Sequence, residues 1–195
     1  MKTRQHGFTM IELIVVIVIL GILAAVALPR FTNITRDARI AKLNAARGAV
    51  QAAAGMIHGT VLVRGGVGDA VACPGGGGTA TNTVAIAGTV CTENGLINII
   101  NGYPTADIPA VAGVRSIVDA AGLASAFPTP LAGLQAEGYN ATGGGTAIGS
   151  TLTILVTGGT GGAAGTNCSF TYTPSSNAGA VGSAPTISAV TTTGC

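Results

Sequence analysis

A single carboxylate inside a long apolar run constrains this 195-residue chain more than any other feature. From Phe8 to Leu28 only Thr9, Glu12 and Gly21 are not plainly hydrophobic. As a helix the run reaches about 31 Å, matching a bilayer core of about 30 Å. The β-branched stretch Ile14–Ile19 forms helix poorly in water. In lipid the backbone must satisfy its own hydrogen bonds, so helix is enforced there. Lys2 and Arg4 precede the span, which leaves Met1 on the cytoplasmic side and sends the remainder outward. An acid at the centre of such a helix costs about 2.5–3.5 kcal/mol on insertion scales. The span offers no Lys, Arg or His, so the compensating charge is expected from another molecule. The segment therefore reads as an assembly device as well as an anchor. A cleavable secretory signal would have a shorter apolar core and a small-residue site, for which Ala24-Ala25-Val26-Ala27 is the only candidate. Neither that nor a plain anchor explains Gly7 directly before the run and Glu12 five residues beyond it.

After the span, Pro29 is expected to kink the helix or loosen a turn near Val26, and Gly21 weakens the same region. Apolar positions then recur at Leu43, Ala46, Val50, Ala53 and Ile57, spacings of three and four that mark one helical face. Arg36, Asp37, Arg39, Lys42 and Arg47 occupy the other face. Gly55 and Gly59 predict a helix end near His58. Arg30–His58 holds five basic residues and one acid, whereas everything after it holds two basic residues and five acids. The basic face is read either as solvated beside a membrane surface or as meeting acidic surfaces of adjacent copies. Nucleic acid is disfavoured as a partner, because no aromatics interleave the charges.

The remainder is rich in Gly, Thr and Ala and has no Trp. Candidate strands are Thr60–Arg64, Val84–Ala87, Thr151–Thr157, Ser169–Thr173 and Thr186–Thr192, with a second helix over Val114–Phe127. The expected fold class is α+β: an antiparallel sheet packed on the outer half of the long helix. Pro74–Thr79, Thr142–Gly145 and Gly158–Thr166 read as loops, and none leads into the Gly-Lys-Ser/Thr of a phosphate-binding loop. The four cysteines, Cys73, Cys91, Cys168 and Cys195, all lie in the exported part, where an even count favours disulfides. Three pairings are possible, and proximity in sequence favours Cys73–Cys91 with Cys168–Cys195. A zinc site is disfavoured, since there is no C-x-x-C pair and the one histidine after the leader, His58, is on the helix. No metal or cofactor is expected. Catalysis is not expected either: beyond His58 there is no histidine to build a Ser-His-Asp or Cys-His arrangement. Sequons occur at Asn33, Asn140 and Asn167, with nothing else marking them as used.

Gly7-Phe8-Thr9-Met10-Ile11-Glu12-Leu13, with Gly21 and Pro29 downstream, resembles the N-terminal signature (class III prepilin signal) of type IV pilins and type II secretion pseudopilins. The resemblance implies the pilin fold and four parts: a leader 1–7, a transmembrane and assembly helix 8–28, an amphipathic arm 29–58 and a β-rich head 59–195. It further implies that a prepilin peptidase cuts Gly7–Phe8 and methylates Phe8, and that Glu12 neutralises the N-terminal ammonium of a neighbouring subunit. The stretch between Gly21 and Pro29 is then one that can melt on assembly, and Cys168–Cys195 matches the C-terminal disulfide-bound loop of many such pilins. The implied role is a major pilin, a self-polymerising structural subunit handled by inner-membrane assembly machinery. It is membrane-anchored before assembly and extracellular afterwards, and serves surface adhesion. Alternatives are a major pseudopilin or a membrane-anchored binding protein that does not assemble. The secretion pseudopilins typically bind calcium through acids in a C-terminal loop, and here no acid follows Glu137. Ala27-Leu28-Pro29-Arg30-Phe31, the run Asp37–Ala49 and Asn101-Gly102-Tyr103-Pro104 are similar to the mannose-sensitive haemagglutinin pilins.

Overall fold

The computed structural model of the chain describes residues 8–84, 87–108, 115–124, 130–158, 167–175 and 183–195. Its first element, α1 (Met10–Arg64), is a 55-residue helix. The chain divides within it into two compact units, Met1–Ala38 and Arg39–Cys195. In the first unit α1 is helical through Gly21 and Pro29. Its stretch Met10–Leu28 is long and apolar enough to cross a membrane, and nothing in it is buried. A helix that is hydrophobic all round and packs on nothing needs an apolar solvent or partner to stay helical.

In the second unit the same helix is amphipathic, and the periodicity read from sequence governs its packing. Leu43, Ala46, Val50, Ala53 and Ile57 are all buried, and Ala54 and Val61 join them. The helix does not end near His58 but continues to Arg64, so Thr60–Arg64 is helix and not strand. A glycine ends a helix where the backbone must turn left-handed, not wherever one occurs. No side chain crowds Gly55 or Gly59, and the fully buried Val61 rewards one more turn. The stop is Gly65 at φ +59°, whose N–H reaches back to the Val61 and Leu62 carbonyls at 3.1 and 3.2 Å. Arg64 in the last turn pairs with Asp69 at 2.6 Å, tying the outgoing chain to the helix end.

Two antiparallel sheets complete this unit. The first is three-stranded: β1 (Gly88–Thr92), β2 (Gly95–Ile100) and β3 (Tyr103–Pro104), in that order. Its turns are Glu93-Asn94, with Gly95 at φ +101°, and Asn101-Gly102, at φ +50° and +83°. Two successive positive φ angles are what a tight hairpin of right-twisted strands requires, and Asn-Gly supplies them. Sequence reasoning overlooked this hairpin pair, although Asn94-Gly95 and Asn101-Gly102 are its standard signals. Of the candidate Val84–Ala87, residues 85 and 86 lie outside the described set, and Val84 and Ala87 are not strand.

Two short helices follow, α2 (Ile117–Ala120) and α3 (Leu131–Ala136). Only α2 represents the expected helix Val114–Phe127. Ser116 and Asp119 form a capping box at its start, and Gly122 at φ +61° follows its end, while residue 114 and residues 125–127 lie outside the described set. The second sheet is a meander of β4 (Tyr139–Gly143), β5 (Leu152–Val156), β6 (Ser169–Thr173) and β7 (Thr186–Ile187). The expected strand Thr186–Thr192 shortens to β7 plus one bridge from Thr191 to Ser169.

One helical face serves both sheets. Leu43, Ala46 and Val50 share a core with Leu152, Ile154, Phe170 and Tyr172, whereas Ile57 and Val61 pack with Val90, Ile97 and Ile99. Burial pushes the Tyr172 phenol pKa up, and its hydroxyl donates to the Pro104 carbonyl at 2.7 Å, joining one sheet to the other. The fold is thus α+β and pilin-like, with two sheets where one was expected.

Candidate assembly site

Residues 1–7 lie outside the described set, so Gly7 of the expected cleavage pair has no structural account. Phe8 is 80 % exposed and precedes the helix. Glu12, for which no partner in its own span was expected, has one in Thr9. Its Oε2 accepts from the Thr9 N–H at 2.9 Å and from the Thr9 hydroxyl at 2.8 Å. The Thr9 hydroxyl oxygen in turn accepts from the Glu12 N–H at 3.3 Å. This is a reciprocal capping box, Thr-x-x-Glu, at the first turn of α1. Its sequence signal is Thr9-Met10-Ile11-Glu12. The box satisfies hydrogen-bonding capacity, and the helix N-terminus favours a negative group. It supplies no full positive charge.

Gly21 and Pro29 lie on the same helix as Glu12, and a side chain at Gly21 would meet nothing within 4 Å. The four cysteines belong to the second unit. Cys73 is bonded to Cys91 and Cys168 to Cys195, with Cα separations of 5.5 and 4.8 Å. Among the described residues no group of His, Cys, Asp or Glu is arranged to hold a metal.

Three of the basic residues of α1 are not simply a solvated face but hold their own head. Arg39 donates to the Cys195 main-chain oxygen at 2.8 Å, and Arg47 to the Ser188 carbonyl at 2.8 Å. Lys42 donates to the Glu137 carbonyl and lies 4.4 Å from the Tyr139 ring centre. Three cations thus grip backbone carbonyls of their own head, where charge-assisted hydrogen bonds are stronger than neutral ones. Arg39 and Arg47 both hold the segment closed by the Cys168–Cys195 bond. His58 stacks on Tyr103 with ring centres 4.2 Å apart and lies 3.3 Å from the Gly102 carbonyl through Nδ1.

An apolar N-terminal helix capped by Thr9 and Glu12, followed by antiparallel sheets, defines a pilin-like protein. Residues 2–28 match the family model of the prokaryotic N-terminal methylation motif. The chain is similar to the type IV narrow pilus major component PilA5 of Thermus thermophilus, at 52% identity over 50 residues, 26% of this chain and 43% of that protein. It is 40% identical over 53 residues to the type IV major fimbrial protein FimA of Dichelobacter nodosus, covering 27% of this chain and 34% of that protein. With the type IV major pilin protein PilE1 of Neisseria gonorrhoeae it shares 55% identity over 42 residues, 22% of this chain and 26% of that one. The chain thus spans less than half the length of the curated relatives it matches. No solved structure matches it significantly. In its motif and over these N-terminal stretches the chain is similar to type IV pilins.

Proposed function

We propose that this chain is a structural subunit, the major pilin, of a type IV pilus. It polymerises through α1 after prepilin peptidase cuts Gly7–Phe8 and methylates Phe8. The observation that carries the reading is the wholly exposed apolar helix Met10–Leu28 headed by Glu12. Such a surface is stable in a bilayer or against other copies of itself, and not in water. The relatives' printed names, all pilus or fimbrial components, support the same role, as does the methylation motif.

Within this reading the Thr9 cap and an intersubunit charge pair act in sequence. In the membrane-anchored subunit the cap gives Glu12 Oε2 two hydrogen bonds. On assembly a neighbour's Phe8 ammonium, which exists only after cleavage and keeps its charge when methylated, supplies the counter-charge. Two ions removed from water are tolerated only as a pair. Gly21 and Pro29 provide the weak helical stretch that can yield as helices pack. The subunit is inserted with its leader in the cytoplasm, assembled by inner-membrane machinery and displayed outside the cell. It acts as a scaffold rather than an enzyme, and adhesion of the haemagglutinin-pilin kind is the role its arm sequence favours.

The test is imaging of surface fibres. Deletion should remove them, and Glu12→Ala should insert and be cleaved yet leave few or none. Normal fibres from Glu12→Ala would overturn the mechanism. Normal fibres on deletion, with protein secretion lost, would replace the pilus by a secretion pseudopilus.

A further inference from the structure

Arg115 is a buried cation to which the head brings no counter-charge. It is 8 % exposed, and its Nε and Nη1 are enclosed without a hydrogen-bond partner. All seven acids of the chain lie among the described residues, and no carboxylate there pairs with it. A guanidinium taken out of water alone is costly, because it cannot shed its proton to escape the charge. The residue is nonetheless fixed in place. Its carbonyl accepts from the Asn98 N–H at 2.9 Å, which ties it to β2.

Glycines shape its surroundings. A Cβ on Gly95 would collide with Arg115 Nη1 and Cζ, and one on Gly75 would collide with the main chain of the β1–β2 turn. The guanidinium and the Gly75–Gly78 loop therefore both seat on a turn that only glycine leaves open. Beyond Nη1 the packing loosens. Gly76 is exposed at φ +85°, and the place of a Cβ on it is clear of every atom but Arg115 Nη2, 3.9 Å away. At Gly78, φ +105°, a Cβ would meet nothing within 4 Å. Nη2 thus borders open space at an exposed loop, and the Gly77 and Gly78 N–H groups there donate to nothing among the described residues.

We propose that Arg115 Nη2 and this loop bind the phosphate group of a small molecule. The guanidinium charge is delocalised over its plane, so an anion at Nη2 compensates the whole group through charge-assisted hydrogen bonds. A phosphate has oxygens enough for the guanidinium and for separate main-chain N–H groups, whereas a carboxylate has two. A polyanion fits poorly: Arg64 and Arg115 are the only basic residues after His58, and Arg64 is held by Asp69. The loop leads into no phosphate-loop motif, and its cation comes from a separate segment. The inference goes beyond the assembly role and stands without it.

The test follows the thermal transition of the head by tyrosine fluorescence, with the full chain in detergent micelles and ionic strength held constant with chloride. Inorganic phosphate or glycerol 3-phosphate should raise the midpoint saturably in the millimolar range. A saturable shift from glycerophosphocholine alone, lost in Arg115→Met, would keep the site and trace the phosphate to a lipid headgroup. Arg115→Met removes an unpaired buried charge, so in chloride it should be at least as stable as the parent, and its response to phosphate should fall about tenfold or vanish. Should it fail to fold, Arg115→Lys keeps the charge without the planar fork and should need about tenfold more phosphate. A rise that does not saturate and is shared by the folded variants is the general salting effect of phosphate and overturns the proposal. So does an equal shift from acetate, or no shift at about 0.1 M phosphate. Fibre counts of the variants are read separately, so a failure of phosphate binding is not confused with a failure of assembly.

Discussion

The two stretches of α1 share a helix and differ in what their apolar side chains touch. Met10–Leu28 is apolar on every side and wholly unburied. Leu43–Val61 buries Leu43, Ala46, Val50, Ala53, Ala54, Ile57 and Val61 along one face and leaves Met56 exposed on another. Hydrophobicity alone would rank the first stretch as the better core. Periodicity reverses that ranking, because one polypeptide head can cover one face of a helix and only a lipid or a bundle of helices can cover all of it.

The largest test of this contrast removes side chains from each stretch. Leu43→Ala should cost about 2–5 kcal/mol of head stability. Leu20→Ala should leave it within about 0.5 kcal/mol. Denaturant unfolding of the full chain in detergent, followed by tyrosine fluorescence, reads the head, because all three tyrosines lie beyond residue 100. Equal losses from the two variants would erase the distinction. Next in size, replacing Cys168 and Cys195 by Ser should lower stability by about 2–5 kcal/mol. It should also free the segment that Arg39 and Arg47 hold, so hydrogen exchange there should rise more than in β5. Arg47→Met keeps the alkyl stem and removes the donor to Ser188. A loss of about 1–2 kcal/mol is expected, and no loss would show that the basic face contributes nothing to docking the head.

Thr9→Val probes the other stretch. It should cost about 1 kcal/mol of helix stability at the first turn, seen as faster amide exchange at Met10–Leu13 in micelles, with the head transition unchanged. A smaller effect of opposite sign is expected at Asp107, whose carboxyl pKa burial pushes above its ordinary 3.8. Folding then favours the protonated form, so this group's contribution to stability falls as pH rises from below 3.8 through the raised value. Asp107→Asn should therefore be more stable than the parent at pH 7, with the gap closing below that window. A constant gap across the range would assign the effect to something other than ionisation.

Local pattern carried much of this molecule. A run of three-and-four spacing is nearly independent of context, which is why all five face positions named from it are buried. Ser169–Thr173 was legible for a similar reason, as β-branched and aromatic alternation. The helix end was not, because Gly59 and Gly65 look alike in sequence, and burial of Val61 selects between them. The three-stranded sheet is signalled locally only by its turn residues, Asn94-Gly95 and Asn101-Gly102, because its strands are short and bounded by Gly-rich sequence. Of the candidate assembly site, the membrane-length helix carrying Glu12 was readable, and the Thr-x-x-Glu box is equally a local pattern.

By itself, then, the sequence determined the membrane-length helix, its lone acid, the methylation motif and the face that a head would cover. These depend on hydropathy, spacing and short motifs, all of them properties of neighbours along the chain. Tertiary structure alone decided that Arg39, Lys42 and Arg47 hold their own head. It also decided that the head is built from two sheets, and that the Gly75 loop and Arg115 both pack against the Gly95 turn. Each of those joins residues far apart in the chain, and their energies arise only once packing has brought them within hydrogen-bonding distance.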